Sequence, residues 1–169
     1  MKRSICCILV FSLIIFLSGC IPSNAEESIH FYYLRSKYAY GSVDSVIAVE
    51  VRDLPENNNI NELLIQYLKG PLDSSLESPF PVDTMLIQLN SNGMIIHITL
   101  SDHIGKLTGV PLSLACACLA KTAMELTGAK TVQISADTLA LNGKDFITVE
   151  IDDILLMDDS TVVTVPFTE

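Results

Sequence analysis

The 169-residue chain has no tryptophan and only 7% aromatic residues, so it is poorly supplied with the flat rings that hold sugars or stack on bases. Basic residues are also scarce. Ten Lys and Arg face twenty Asp and Glu, and the formal charge of −10 leaves no cation excess to displace counterions from a nucleic acid. Eight Gly and seven Pro exclude a collagen-like or low-complexity polymer, and 49% hydrophobic residues exclude a disordered chain. No GxSxG, HExxH, P-loop or GxGxxG motif occurs. His30, His97 and His103 are scattered. The adjacent pair Asp102-His103 makes neither a triad nor a ligand pair, and the one metal set left open is His97 and His103 with Asp83. The doublets Asp152-Asp153 and Asp158-Asp159 lack the spacing and central Gly of an EF-hand, and read as turn and edge charges. No catalytic residue, cofactor or metal is expected, so the chain does not read as an enzyme.

The N-terminus carries more information. Met1-Lys2-Arg3 is a short basic start, and Ser4 to Phe16 is a nearly unbroken apolar run, too short for a comfortable span of about 20 residues. Leu17-Ser18-Gly19-Cys20 follows at once. It resembles the lipobox of bacterial lipoproteins, which implies cleavage before Cys20 and acylation (palmitate) of its thiol. The alternative is an ordinary signal peptide that happens to precede a Cys. The reading is a signal peptide over 1–19, then a lipidated Cys20 and tether over 20–28. Cleavage removes Lys2 and Arg3 and leaves eight basic against twenty acidic residues, a charge of −12 that an anionic membrane repels. The lipid must do the holding. A tether of eight residues reaches about 3.5 Å per residue, so the domain stays near the extracytoplasmic face of the cell membrane, and its partner is expected to be membrane-proximal. Of five cysteines, only Cys116 and Cys118 then remain, and their spacing on a helix points them apart, as small core residues.

The rest, 29–169, reads as one domain. Residues 29–34 and 46–51 suggest paired strands. Ile60, Leu63, Leu64, Tyr67 and Leu68 form one helical stripe, with Asn59 and Glu62 at its start and Lys69-Gly70-Pro71 at its end. Met85, Ile87 and Leu89 share a strand face, Asn92-Gly93 marks a hairpin, and Met94, Ile96, Ile98 and Leu100 lie on one side of the return strand. A second helix is predicted from Pro111 to Leu126. Its stripe is Leu112, Ala115, Cys116, Leu119, Ala123 and Leu126, while Leu114, Ala117 and Cys118 make its back apolar too. Either the chain's own C-terminal segment covers that back, or Leu114 and Cys118 form a partner surface. Strands follow at 131–135, 146–151 and 161–165. Helices interrupt pairs of strands, which predicts an α+β two-layer sandwich with two helices on one face of a mostly antiparallel or mixed β-sheet.

Leu68-Lys69-Gly70-Pro71 after an amphipathic helix, Pro81 and Thr84 before a strand, the Asn92-Gly93 turn, Leu100-Ser101, the helix to Leu126 and Gly128 before Val132-Gln133-Ile134 resemble the GerM domain of sporulation and spore germination. The likeness is best over 59–137, looser over 29–51, and leaves 138–169 as an extension. The resemblance implies a non-catalytic envelope module for protein–protein assembly, homo-oligomers included. An alternative is a lipoprotein that binds peptidoglycan or a small solute in a cleft lined by Tyr32, Tyr33, Tyr38 or Tyr40. A cell-wall hydrolase is the third.

Overall fold

A computed structural model describes residues 28–36, 46–55 and 59–154, and the backbone of 157–164. The expectations on 1–27, Cys20 included, and on Tyr38 and Tyr40 lie outside the described residues. The α+β class holds, and the strands divide between two four-stranded sheets.

The first sheet begins with β1 (Ser28–Arg35) and β2 (Ile47–Asp53), antiparallel with Tyr32 opposite Val49. A two-residue strand, β3 (Leu76–Glu77), sits inside the loop after the first helix and pairs with the end of β1. The last strand, β8 (Met157–Thr164), runs parallel to β2 and completes the order β3-β1-β2-β8. The doublet Asp158-Asp159 therefore lies on a strand that is at the edge of its sheet among the described residues.

The second sheet is built from β4 (Leu86–Asn92), β5 (Ile95–Leu100), β6 (Thr131–Ala136) and β7 (Ile147–Glu150), in that order. Asn92 pairs with Ile95, so the two-residue loop is Gly93-Met94, one position later than the Asn-Gly signal suggests. Gly93 takes φ 64°. At Asn142-Gly143, between the Leu141–Lys144 bridge, both residues do take positive φ, 50° and 74°, as a tight hairpin turn demands. Ile96, Ile98, Leu100, Val132 and Ile134 face the core, while His97 and Gln133 lie on the opposite face.

Helix α1 (Ile60–Leu68) starts where Asn59 Oδ1 accepts the Asn61 N–H at 2.9 Å. Helix α2 (Gly109–Thr127) is longer than predicted at both ends and stops at Gly128, φ 72°. Its apolar back has a simple cause: α2 lies between the sheets. One side packs with Val132 and Ile134, and the other meets Tyr32, Ile47 and Val49. Among the described residues, the N-terminal hairpin closes over the helix at Cys118 and Leu114. Ala115, Cys118 and Ala120 are all fully buried, and their small size lets both sheets approach.

The hairpin is also fastened by its edge. β1 has a strand partner on its outer side only at Leu34 and Arg35. Further back, the Tyr32 N–H donates to Thr122 Oγ1 of α2 at 3.0 Å, and the Tyr32 carbonyl accepts from Tyr67 Oη of α1 at 2.8 Å. Two helices thus supply by side chain what a neighbouring strand would supply by backbone.

Candidate functional site

Sequence reasoning offered Leu114 and Cys118 as a partner surface. Cys118 has no exposed surface, because Tyr32, Ile47 and Val49 close over it, and Leu114 is half-buried at the rim of the same cluster. Cys118 is thus corrected from surface to core. Burial pushes the Cys116 thiol up to about 12 and Cys118 higher still, so neither is a thiolate nucleophile or ligand at neutral pH. Tyr32 and Tyr33 are buried as well, so neither lines an open cleft.

The densest polar constellation lies at the motif that ends α1. Glu50, on β2, is fully buried and Arg52 nearly so. Residues two apart on a strand share a face, so both project toward the Lys69-Gly70-Pro71 loop. Glu50 Oε1 accepts from Arg52 Nε at 2.5 Å and pairs with its Nη2, and Glu50 Oε2 accepts the N–H groups of Leu72 and Asp73, each at 2.9 Å. Arg52 Nη2 also donates to the Gly70 carbonyl at 3.0 Å and lies 3.3 Å from Tyr33 Oη, with the guanidinium 4.7 Å from the Phe31 ring centroid. Gly70 has φ 102°, a conformation L side chains rarely adopt. Every strong acceptor position of the carboxylate is occupied. The cluster can hold a loop; it has no free lone pair directed at a substrate.

A second, half-exposed cluster joins β1 to α2. Glu125 accepts from Tyr32 Oη at 2.9 Å and lies 2.7 Å from His30 Nδ1, while Lys121 Nζ sits 5.5 Å from the Tyr32 ring centroid. Burial pushes the Glu125 carboxyl up, but the hydrogen bonds from His30 and Tyr32 outweigh it and hold it below the usual carboxylate range.

The proposed metal set is not brought together. His103 Nδ1 lies 3.3 Å from Ser101 Oγ, in the 3-10 turn Asp102–Lys106, whereas His97 stands on the open face of the second sheet between Asn90 and Gln133. Among the described residues, no three His, Cys, Asp or Glu lie close enough to share an ion. Ser101 Oγ accepts the Met85 N–H at 3.0 Å, and Asp102 accepts the Thr138 N–H at 2.8 Å and bonds its hydroxyl, so this loop is a clasp between β5 and the segments beside it. The Thr138 bonds hold the Asp102 carboxyl below the usual range. Asp153 Oδ2 accepts the Glu150 N–H at 3.1 Å, which makes the acidic doublet a turn cap.

What remains open is surface. A groove of about 600 Å³ runs between the end of α1 and the segment 78–86, with Ile65, Leu68, Phe80, Val82, Met85 and Leu86 among its walls. The residues that sequence reasoning missed are Glu50, Arg52 and Thr122. The signal for the first two was opposite charges two apart on a strand that is otherwise apolar up to its last residue, Asp53.

A family model for sporulation and spore germination, Germane, matches residues 30–138. The fold is shared with the tandem GerMN domains of the sporulation protein GerM from Bacillus subtilis, at a TM-score of 0.54 and 18% identity over 78% of this chain. The first GerMN domain of that protein superposes at a TM-score of 0.58 and 12% identity, covering 75% of this chain and 99% of the domain. This chain covers 48% of the tandem protein. No curated protein sequence matches it. β7 and β8 lie beyond the matched segment and add one strand to each sheet. With well over half its length matched, and with both helices, the Lys-Gly-Pro loop and the β4–β5 hairpin inside the match, the chain belongs to the Germane family of sporulation and spore germination.

Proposed function

We propose that this chain is an extracytoplasmic lipoprotein, anchored through acylated Cys20, whose Germane domain is a non-catalytic module for protein–protein assembly in the cell envelope during sporulation or germination. The observation that carries the reading is the saturation of Glu50. The one fully buried carboxylate among the described residues spends both oxygens on Arg52, Leu72 and Asp73 and keeps none for proton transfer. The other polar clusters are similarly engaged in holding segments together. Open apolar surface is left for contact with proteins. Anchoring rests on the Leu17-Ser18-Gly19-Cys20 sequence and on the net charge, which gives the domain no attraction of its own for an anionic membrane.

The test has two arms. Cells fed a clickable fatty acid should label the chain and retain it in the membrane fraction, and Cys20→Ser should abolish both. The purified protein should leave peptidoglycan fragments unchanged and give no heat with muropeptides in calorimetry. Turnover that a single side-chain substitution abolishes would overturn the non-catalytic reading, and saturable muropeptide binding would favour the ligand-binding one.

A further inference from the structure

Among the described residues two arginines are buried, and only one of them is satisfied. Arg35, the last residue of β1, is 8% exposed, as buried as Arg52. Its backbone is placed from both sides. Its N–H donates to the Val46 carbonyl at 3.0 Å, it pairs with Leu76 of β3, and the next residue, Ser36, donates to the Ser75 carbonyl at 2.8 Å. Residues directly opposite in a ladder project to one face, and Leu76 belongs to the main core, so the Arg35 side chain starts on the core side. Its charged end is bare. Nε and Nη2 have almost no accessible surface and no hydrogen-bond partner among the described residues, and no described carboxylate pairs with them. These two nitrogens form one edge of the guanidinium, with two N–H bonds side by side, and it is the edge by which Arg52 holds Glu50. A guanidinium keeps its charge at every physiological pH, so it cannot escape desolvation by losing a proton. Glu50, on the same sheet face, is spent on Arg52, Leu72 and Asp73, and Asp73 Oδ1 accepts the Ser75 N–H at 2.6 Å.

We propose that the Nε–Nη2 edge of Arg35 is an empty receptor for one carboxylate, supplied by an acidic side chain of a partner protein or by a small free acid. Two features select that chemistry. The paired donors match the two oxygens of a carboxylate, which arginine binds through two parallel bonds. One buried cation is also neutralised by one negative charge, whereas a dianionic phosphate would leave a negative charge buried in a chain that already carries −10. The entrance is at β3, which is two residues long and outermost in its sheet among the described residues. The proposal goes beyond the assembly reading and does not rest on it, because a small acid would fill the fork as well.

An unfilled fork destabilises the domain, and that gives the first readout. In the full-length chain, Arg35→Met removes the buried charge and keeps an unbranched side chain, so the urea midpoint should rise. An unchanged or lower midpoint, or failure to fold, would mean that the chain already compensates Arg35, and would overturn the proposal. The second readout is the Nε–H resonances of the buried arginines in ¹⁵N NMR, assigned with the same variant. Replacing chloride by formate at constant ionic strength should move the Arg35 signal downfield, saturably, and leave Arg52 in place because Glu50 already holds it. No shift at Arg35, equal shifts at both arginines, or a larger Arg35 shift with phosphate would overturn the proposal. Crosslinking in native membranes then reads the source. A protein neighbour captured by the native chain and lost with Arg35→Met assigns the carboxylate to that partner, and capture that the substitution leaves unchanged assigns it to a small acid.

Discussion

Substituting Glu50→Gln tests the account of the buried cluster. The side chain keeps its shape and loses one acceptor oxygen and the negative charge. As built, one oxygen faces two donors of Arg52 and the other faces the N–H groups of Leu72 and Asp73. Whichever way the amide is turned, its NH₂ is set against a donor, and the Arg52 guanidinium, only 8% exposed, loses its counter-charge. Breaking a buried pair from one side costs about 3–5 kcal/mol. A domain of this size has about 5–15 kcal/mol to lose, so the midpoint of urea unfolding, followed by circular dichroism, should fall by a large fraction or the protein should fail to accumulate. The double variant Glu50→Gln with Arg52→Met should be less damaging than the sum of the single changes, because the second removes the stranded charge. A loss under about 1 kcal/mol for Glu50→Gln, in the range of ordinary surface substitutions, would refute the claim that this carboxylate holds the Lys-Gly-Pro loop.

Other consequences are more local. Thr122→Val leaves the Tyr32 N–H without its acceptor and should cost about 1–3 kcal/mol, with faster hydrogen exchange at that amide; unchanged exchange would contradict the edge-docking account. Glu125 is held below its usual range in the folded protein, so its contribution is present above the unfolded value near 4.5 and is lost as pH falls through the lower folded value. The stability difference between the native protein and Glu125→Gln should therefore shrink on acidification below about pH 4.5, and a difference that grows there would reverse the assignment. Cys116 and Cys118 should resist a thiol reagent at pH 8 until urea is added, because both are buried with raised thiols; labelling in the native state would show that the hairpin opens.

Much of this fold was legible because local chemistry and tertiary structure agree. The Ile60–Leu68 stripe, the Gly128 stop and the alternation of Ile96, Ile98 and Leu100 each state their burial directly in sequence spacing. The division into two sheets was not legible, since pairing partners are chosen by contacts distant along the chain, such as β2 with β8. The apolar back of α2 shows why the candidate surface went astray. A helix buried on two sides and a helix awaiting a partner carry the same pattern, and only the placement of Tyr32 and Val49 against Cys118 tells them apart. Glu50 and Arg52 were hidden for a related reason. One face of β2, with Ile47 and Val49, packs against Cys118, and the opposite face, with Ala48 and Glu50, is buried too, so strand alternation does not mark either side as the inside.

The central claim, that this domain assembles with another envelope protein, is tested most directly by crosslinking native membranes, capturing this chain and identifying its neighbours by mass spectrometry. The account predicts one dominant envelope protein other than the chain itself, recovered in near-stoichiometric amount and bound directly by the purified domain. Recovery of wall glycan fragments in its place, or of no stoichiometric protein neighbour, would contradict it.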